Sequence, residues 1–330
     1  MKKVFAALAA SAVAVSMLAF AGCGNDGVIS GKYEDKTPEQ MEEIVDNIDG
    51  DKLFSDEITG LGLKANLSAG FDLANNGDAS GSLSLDFKLS QKDDKLAGSG
   101  TASLKFSSTD KTEATPVVYS GDVKGTAYID DSYVYASATG KILDTELTDE
   151  NAKIKLNLTT LGGLLGGFGG FGGFSLYEAE DAFDVASLLA LAKEYGVSVT
   201  VDDRNGVKFK LSATEDTVWS VVAAVADGEI PEAQLTAIKE KVTFNTFKFD
   251  AYFAIDANGA FSGASVDVDL KVTVDSSLIN GDGNNGTAYV KGFVELYTHK
   301  DTVTVPDSVK NDKGYVDGTG LILGLIGGLL

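Results

Sequence analysis

The 330-residue sequence contains one cysteine, one histidine and only four prolines. With Cys23 alone, neither a disulfide nor a thiolate metal site within the chain is available, so stability has to come from a packed core. With His299 alone, beside Lys300 and Asp301 at the end of a predicted strand, a Ser-His-Asp or Cys-His catalytic arrangement is not expected. We expect His299 to be solvated, and we predict neither an enzyme nor a cofactor or metal site.

Basic residues are scarce as well. The chain has 27 Lys and Arg against 49 Asp and Glu, which gives a net charge of −22. Such an acidic protein repels polyanions, and the single arginine, Arg204, offers little capacity for bidentate phosphate contacts. Nucleic acid is therefore excluded as a partner, and the acidic surface opposes lying flat on anionic lipid headgroups.

The first 23 residues have the features of an export signal. Two lysines precede an uncharged, alanine-rich run from Val4 to Ala21, and small residues lead to Cys23. The segment Leu18-Ala-Phe-Ala-Gly-Cys23 resembles the lipobox of bacterial lipoproteins. The resemblance implies that residues 1–22 are removed, and that an acyl anchor on Cys23 holds the protein on the extracytoplasmic side of a cell membrane or outer membrane. The alternative is an ordinary secretory signal with a cysteine here by chance.

The remaining chain divides by composition. Residues 23–36 are short and polar, and they are predicted to tether the lipid to the folded part. Residues 37–310 are predicted to form a single β-rich domain with a central helical insert at 180–241. Residues 311–330 form an apolar, glycine-rich C-terminal tail.

Four helices are predicted from capping signals and apolar periodicity. The first begins with a capping box, in which Thr37 is the N-cap and Gln40 lies three positions later. The second spans roughly residues 182–195, and two more begin at Thr214 and Pro231.

Most of the remaining sequence alternates between apolar and polar residues with a period of two. Leu61 to Leu73 is the clearest example, and the pattern returns repeatedly up to Leu296, with a shorter run at Val303–Val305. Clean alternation and Asn-Gly turn pairs favour antiparallel strands. We therefore predict an α+β fold: a large curved antiparallel sheet, a half-barrel of about eleven strands, with about four helices packed on its apolar face.

The order of elements over residues 60–306, and the phrase Gly125-Thr-Ala-Tyr-Ile-Asp-Asp-Ser-Tyr-Val-Tyr135, are similar to the half-barrels of lipoprotein carriers in the LolA/LolB and LppX/LprG groups. The resemblance implies a cavity between helices and sheet that holds acyl chains. Phe249 and Phe253, on the apolar side of one predicted strand, are candidate ligand contacts. The residues themselves are equally compatible with a filled core.

Two uncharged segments add apolar surface. In the first, glycines separate large side chains, and the candidate ligand or lid residues are Leu161, Leu164, Leu165, Phe168, Phe171 and Phe174. The second, Leu321–Leu330, is too short to span a bilayer. Exposure of either segment would indicate contact with a ligand or a membrane. The alternatives are an irregular loop for the first and docking onto the core for the second.

These patterns together predict a membrane-anchored extracytoplasmic lipoprotein that binds or carries a lipid-like hydrophobic ligand in a sheet–helix cavity. The alternative is a non-catalytic surface lipoprotein with a structural or interaction role and a filled core. The expected partners are the membrane, through the acyl anchor, and a lipid or other hydrophobic small molecule. The oligomeric state is left open.

Overall fold

The computed structural model describes residues 30–53, 59–73, 77–92, 95–111, 115–148, 152–158, 185–226, 231–279 and 284–318. The helices are α1 Pro38–Asp46, α2 Gly50–Leu53, α3 Val185–Glu194, α4 Glu215–Ala226, α5 Glu232–Lys239, α6 Ser276–Ile279 and α7 Asp307–Lys310. The strands are β1 Gly60–Asp72, β2 Gly77–Lys92, β3 Lys95–Asp110, β4 Val117–Ile129, β5 Tyr133–Ile142, β6 Thr145–Leu147, β7 Lys153–Asn157, β8 Ser198–Asp202, β9 Val207–Ser212, β10 Val242–Ile255, β11 Phe261–Val274, β12 Gly286–Thr298 and β13 Val316–Asp317. The prediction of an α+β fold with a large antiparallel sheet is confirmed.

Helix α1 begins as its sequence predicts. Thr37 Oγ1 accepts a hydrogen bond from Gln40 N at 3.3 Å, and Gln40 Oε1 accepts one from Thr37 N at 3.0 Å. This capping box gives hydrogen-bond acceptors to two backbone amides, because the start of a helix otherwise leaves such amides unpaired. The apolar side of the helix, with Met41 and Ile44, then packs against the core.

The middle helices also begin near their predicted positions. Helix α3 lies within the predicted 182–195, and Gly196 follows it with φ +70°, a left-handed conformation that suits glycine at a helix end. Thr214 precedes α4, and its Oγ1 accepts a hydrogen bond from an amide of the first turn at 3.3 Å. Pro231 is the residue before α5.

The described strands form one sheet in the order β13-β7-β5-β4-β3-β2-β1-β12-β11-β10-β9-β8, with β6 paired to β5. Neighbouring strands run antiparallel, except that β13 and β7 are parallel. Strand β1 pairs with β2 on one side and β12 on the other, so the first and last thirds of the chain meet in the middle of the sheet.

The strand predictions differ from the structure in two places. Among the described residues the sheet has 13 strands rather than about eleven, because β6 and β13, with three and two residues, are too short to produce an alternating pattern. Val303–Val305, predicted as a short strand, is not one. Val303 N donates a hydrogen bond to the side chain of Ser90 at 2.8 Å, and Val305 is buried. A side-chain acceptor therefore takes the place of a strand partner.

Candidate functional site

One face of the sheet is apolar across most of its width. Because the strands pair in register, the alternating apolar residues of each strand stand beside those of its neighbours. Leu63 pairs with Leu296 on one side and with Phe87 on the other. A second row, farther along the strands, consists of Leu67, Leu83, Leu104 and Val123.

Helices cover this apolar face near β8 to β11. The buried core there comprises Leu53, Val185, Ala192, Val201, Phe209, Leu211, Phe253, Ile255, Phe261 and Ala264. The ring of Phe253 lies 6.5 Å from that of Phe209 and 5.5 Å from that of Phe261. The ligand candidate Phe253 is thus packed among protein side chains, whereas the other candidate on this strand, Phe249, is half-buried.

The same face is exposed over the far ends of β1 to β5. Six large side chains there have between 38% and 47% of their surface exposed: Phe71, Leu83, Leu104, Val117, Tyr119 and Ile142. The strand register places all six on the apolar face, and we call them the open face. Grouped apolar exposure of this kind marks contact with a ligand, a membrane or another protein.

Glycines keep the surface beside the open face shallow. A Cβ atom on Gly121 would lie 2.3 Å from Phe106 Cε1, so this ring lies flat across the neighbouring strand. A Cβ atom on Gly125 would have the carbonyl oxygen of Ser137 as its nearest neighbour, at 3.4 Å. A flat ligand or another polypeptide chain on this face would therefore lie close to the backbone at Gly125.

The opposite face of the sheet is charged and internally paired. Lys248 pairs with Asp267, and Lys291 pairs with Asp269, along β10 to β12. Exposed ion pairs contribute little to stability, but they keep this face compatible with water. The open face thus carries more large exposed apolar side chains than the charged face, on which Val118 and Tyr289 are exposed.

A polar cleft of about 440 Å³ lies at the tip of the β8–β9 hairpin. Its lining residues are Ser30, Gly31, Lys32, Asp202, Arg204, Asn205 and Lys208. The Asp202 carboxylate accepts hydrogen bonds from Arg204 Nε at 2.7 Å, from Arg204 Nη2 at 2.6 Å and from Lys32 N at 2.7 Å. The Arg204 guanidinium, more than any other group, holds the pKa of Asp202 well below its usual range. The sequence did not predict this cleft, because Lys32 and Asp202 are 170 positions apart.

The chain segment that enters the cleft is firmly attached to the sheet. Glu34 and Val201 exchange two backbone hydrogen bonds, at 2.9 and 3.0 Å, beside the edge strand β8. The ring of Tyr33 packs 5.7 Å from that of Tyr252, and burial raises the pKa of Tyr33 to about 12. Residues 30–36, which are the last part of the predicted tether 23–36, therefore have a defined place in the fold.

The expectation that His299 is solvated is wrong. Its ring stands over Gly60, where a Cβ atom would lie 2.4 Å from the ring Cε1, and it packs 6.2 Å from the ring of Tyr297. Both ring nitrogens are buried, and they have no hydrogen-bond partner among the described residues. Glycine at position 60 leaves room on β1 for the histidine ring, which the strand-end position in the sequence did not reveal.

Several predicted site residues lie outside the described residues, namely Cys23, Leu161, Leu164, Leu165, Phe168, Phe171, Phe174 and the segment Leu321–Leu330. Their roles stay predictions. Within the described ranges, no three His, Cys, Asp or Glu side chains are grouped so that they could hold a metal ion. In the same part of the chain, no helix combines the length and apolar character needed to cross a membrane.

Comparisons with known proteins do not place this chain in a family. No family model matches it, and no curated protein matches it. Among solved structures, it is similar to the translocator domain of the autotransporter NalP from Neisseria meningitidis, with 10% identity over 79% of this chain and 94% of that chain. The TM-score of 0.17 is too low to indicate a shared fold.

Proposed function

We propose that this protein is a membrane-anchored extracytoplasmic lipoprotein that binds a lipid-like hydrophobic ligand and performs no catalysis. The observation that carries the proposal is the open face, where six large apolar side chains are exposed beside a covered core. Exposed apolar surface is unfavourable in water, and contact between the open face and acyl chains would remove these six side chains from water.

The energetic reason is the transfer of methylene groups out of water. Each fully buried methylene contributes about 0.8 kcal/mol, so an acyl chain gains several kcal/mol even when only part of it is covered. Strand β1 has 13 residues and therefore extends about 43 Å. The shallow surface around Gly125 allows a ligand chain to approach the sheet closely.

In this proposal the sheet curves as a half-barrel, with helices on one part of its apolar side and the ligand on the other. The sequence predicted a ligand enclosed between helices and sheet, with Phe249 and Phe253 in contact with it. Phe253 lies in the covered core and is 4% exposed, so we place the ligand on the open face.

The proposed anchor is a lipid on Cys23, which would hold the protein on a cell membrane or outer membrane. Metabolic labelling with an alkyne analogue of palmitate tests it, because the intact protein should take up the label and a Cys23→Ser variant should not. A labelled Cys23→Ser variant, or an unlabelled intact protein, would contradict the anchor.

An aspartate on the open face tests ligand binding. Leu83 and Ser84 are adjacent, exposed residues of β2 that face opposite sides of the sheet. We expect Leu83→Asp to weaken binding of a fluorescent fatty acid about tenfold or more, because the charge must lose water to contact an acyl chain. Ser84→Asp adds the same charge on the polar side and should bind as the unmodified protein does.

The test uses the chain from Gly24 to Leu330, which keeps every described residue. Native mass spectrometry of this protein, purified without detergent, should show a co-purified lipid that Leu83→Asp loses and Ser84→Asp retains. Absence of both lipid and fatty-acid binding in the unmodified chain would overturn the ligand-binding proposal.

A second candidate function is a structural or interaction lipoprotein without a small ligand. The observation that favours it is the filled core around Phe253, where protein side chains occupy the covered part of the face. If this second candidate is right, the native mass spectrum contains no lipid. Leu83→Asp and Ser84→Asp then do not differ in fatty-acid binding.

A further inference from the structure

Three Asn-Gly pairs lie wholly within the described residues, namely Asn205-Gly206, Asn258-Gly259 and Asn285-Gly286. In such a pair the side-chain amide of asparagine is followed by a backbone nitrogen that no Cβ atom shields. Attack of this nitrogen on the side-chain amide carbon modifies the chain covalently. In a folded protein, the hydrogen bonds that hold the two groups decide how readily each pair reacts.

The pair Asn258-Gly259 lies in a turn that Asp256 holds in place. Asn258 donates hydrogen bonds to the Asp256 carboxylate from its backbone N at 2.8 Å and from Nδ2 at 3.4 Å. Gly259 N donates to the backbone oxygen of Asp256 at 3.1 Å. The Gly259 nitrogen would therefore have to give up its hydrogen bond before it could attack Asn258.

The pair Asn285-Gly286 is held by a helix and by the sheet. Asn285 Oδ1 accepts a hydrogen bond from Ser276 N at 3.1 Å, at the start of α6. Gly286 is buried, begins β12 and pairs with Val274. Movement of these two groups toward each other would disrupt the start of the helix or the pairing of the strands.

The pair Asn205-Gly206 differs from the other two. Within the described ranges, neither the Asn205 side chain nor the Gly206 amide takes part in a hydrogen bond. Asn205 is exposed and lines the polar cleft at the tip of the β8–β9 hairpin, so water reaches its side chain. Both groups that the reaction needs are therefore available.

We propose that Asn205 is a site of spontaneous deamidation. The Gly206 nitrogen forms a bond to Cγ of Asn205 while the bond from Cγ to Nδ2 breaks, and the proton of the Gly206 nitrogen leaves with Nδ2 as ammonia. The product is a five-membered succinimide ring. Water then opens the ring at Cγ to give aspartate, or at the main-chain carbonyl carbon to give isoaspartate, and neither step involves oxidation or reduction.

Both products alter the place where residues 30–36 attach to the sheet. Each adds a carboxylate to the cleft in which Asp202 binds Arg204 and accepts a hydrogen bond from Lys32 N at 2.7 Å. Isoaspartate also lengthens the backbone beside Gly206, where a Cβ atom would lie 2.2 Å from the carbonyl oxygen of Ile255. Because the backbone has so little room there, the longer chain displaces the hairpin tip. Deamidation therefore loosens the attachment of residues 30–36.

Peptide mapping by mass spectrometry tests the modification with the chain from Gly24 to Leu330. The folded protein is incubated in mildly alkaline buffer, and the mass increase of about 1 Da on deamidation is followed at each Asn-Gly pair. We expect Asn205 to react about fivefold or more faster than Asn258 and Asn285, because no hydrogen bond has to break first. Equal or slower reaction of Asn205 in the folded protein would overturn the proposal.

The same chain unfolded in urea is the control for the chemistry of the dipeptide. All three pairs are followed by glycine, so they should react at similar rates once the fold is lost. If Asn205 led by the same factor in the unfolded chain, the fold would not be the cause, and the proposal would be overturned.

Limited digestion with trypsin tests the consequence. Cleavage after Lys32 requires residues 30–36 to leave the sheet, so its rate reports how firmly they are attached. We expect incubated protein to be cleaved there about threefold or more faster than fresh protein. Asn205→Gln keeps a side-chain amide but closes a ring less readily, and its cleavage should not change on incubation. Equal cleavage of fresh and incubated unmodified protein would overturn the loosening of residues 30–36.

Discussion

A Cβ atom on Gly292 of β12 would lie 1.8 Å from the carbonyl oxygen of Asn66 on the adjacent strand β1. Gly292 also has a φ angle of +134°, a backbone conformation that residues other than glycine rarely adopt. The contact lies where β1 and β12 join the first and last thirds of the chain. The pairing of β1 with β12, which we call the seam, thus depends on a glycine at position 292.

Gly292→Ala is expected to lower the free energy of unfolding by about 3 kcal/mol, from backbone strain and displacement of the β1 backbone. Gly125→Ala is the matched control in β4, where the nearest atom to a Cβ is 3.4 Å away. It should change stability by less than about 0.5 kcal/mol. Urea unfolding followed by circular dichroism compares the two, and equal midpoints would contradict the importance of the seam.

Phe253 and Leu104 occupy the covered and open parts of the same face, and their truncation should have different effects. Phe253→Ala is expected to cost about 4 kcal/mol, because it leaves a cavity beside Phe209 and Phe261. Leu104→Ala, at an exposed position, should cost less than about 1 kcal/mol and should weaken fatty-acid binding. The same loss of stability in both variants would show that the open face is packed in solution.

The stability contributed by Asp202 should depend on pH. Its pKa in the folded protein is lowered by Arg204, so its stabilisation is complete above the unfolded pKa of about 3.9 and is lost as the pH falls toward the folded value. Asp202→Asn should be less stable than the unmodified protein by about 2 kcal/mol at neutral pH. The difference should stay constant down to about pH 5 and shrink below about pH 4. A difference independent of pH down to pH 2 would contradict the role given to the carboxylate.

His299→Phe should preserve or increase stability. The phenylalanine ring can occupy the space over Gly60 without placing two ring nitrogens in a buried position. Removing buried polar atoms that lack partners is expected to add about 1 kcal/mol to the free energy of unfolding at pH 7. A clear loss of stability would show that the imidazole makes a polar contact that stabilises this end of β12.

The regular elements could be predicted because their causes are local. The capping box of Thr37 and Gln40 identifies the start of α1, and alternation from Leu61 onward identifies β1. Strand β13 could not be predicted, because its two residues acquire strand geometry only from pairing with β7.

The candidate sites depend on relationships that the sequence pattern does not contain. Alternation places Phe253 and Leu104 on the same face, but it cannot show that helices cover one and not the other. The polar cleft requires Lys32 to meet Asp202 across 170 positions. Each of these features is set by how distant elements pack, so only the fold reveals it.

Photo-crosslinking tests the location of the ligand most directly. A fatty acid carrying a diazirine near its methyl end is bound to the chain from Gly24 to Leu330 and irradiated, and the modified peptides are identified by mass spectrometry. Binding on the open face predicts crosslinks at and beside Leu83, Leu104 and Tyr119, reduced by Leu83→Asp and unchanged by Ser84→Asp. Crosslinks confined to the charged face around Lys248 and Asp267, or spread evenly over the protein, would contradict the assignment of the open face as the lipid-binding surface.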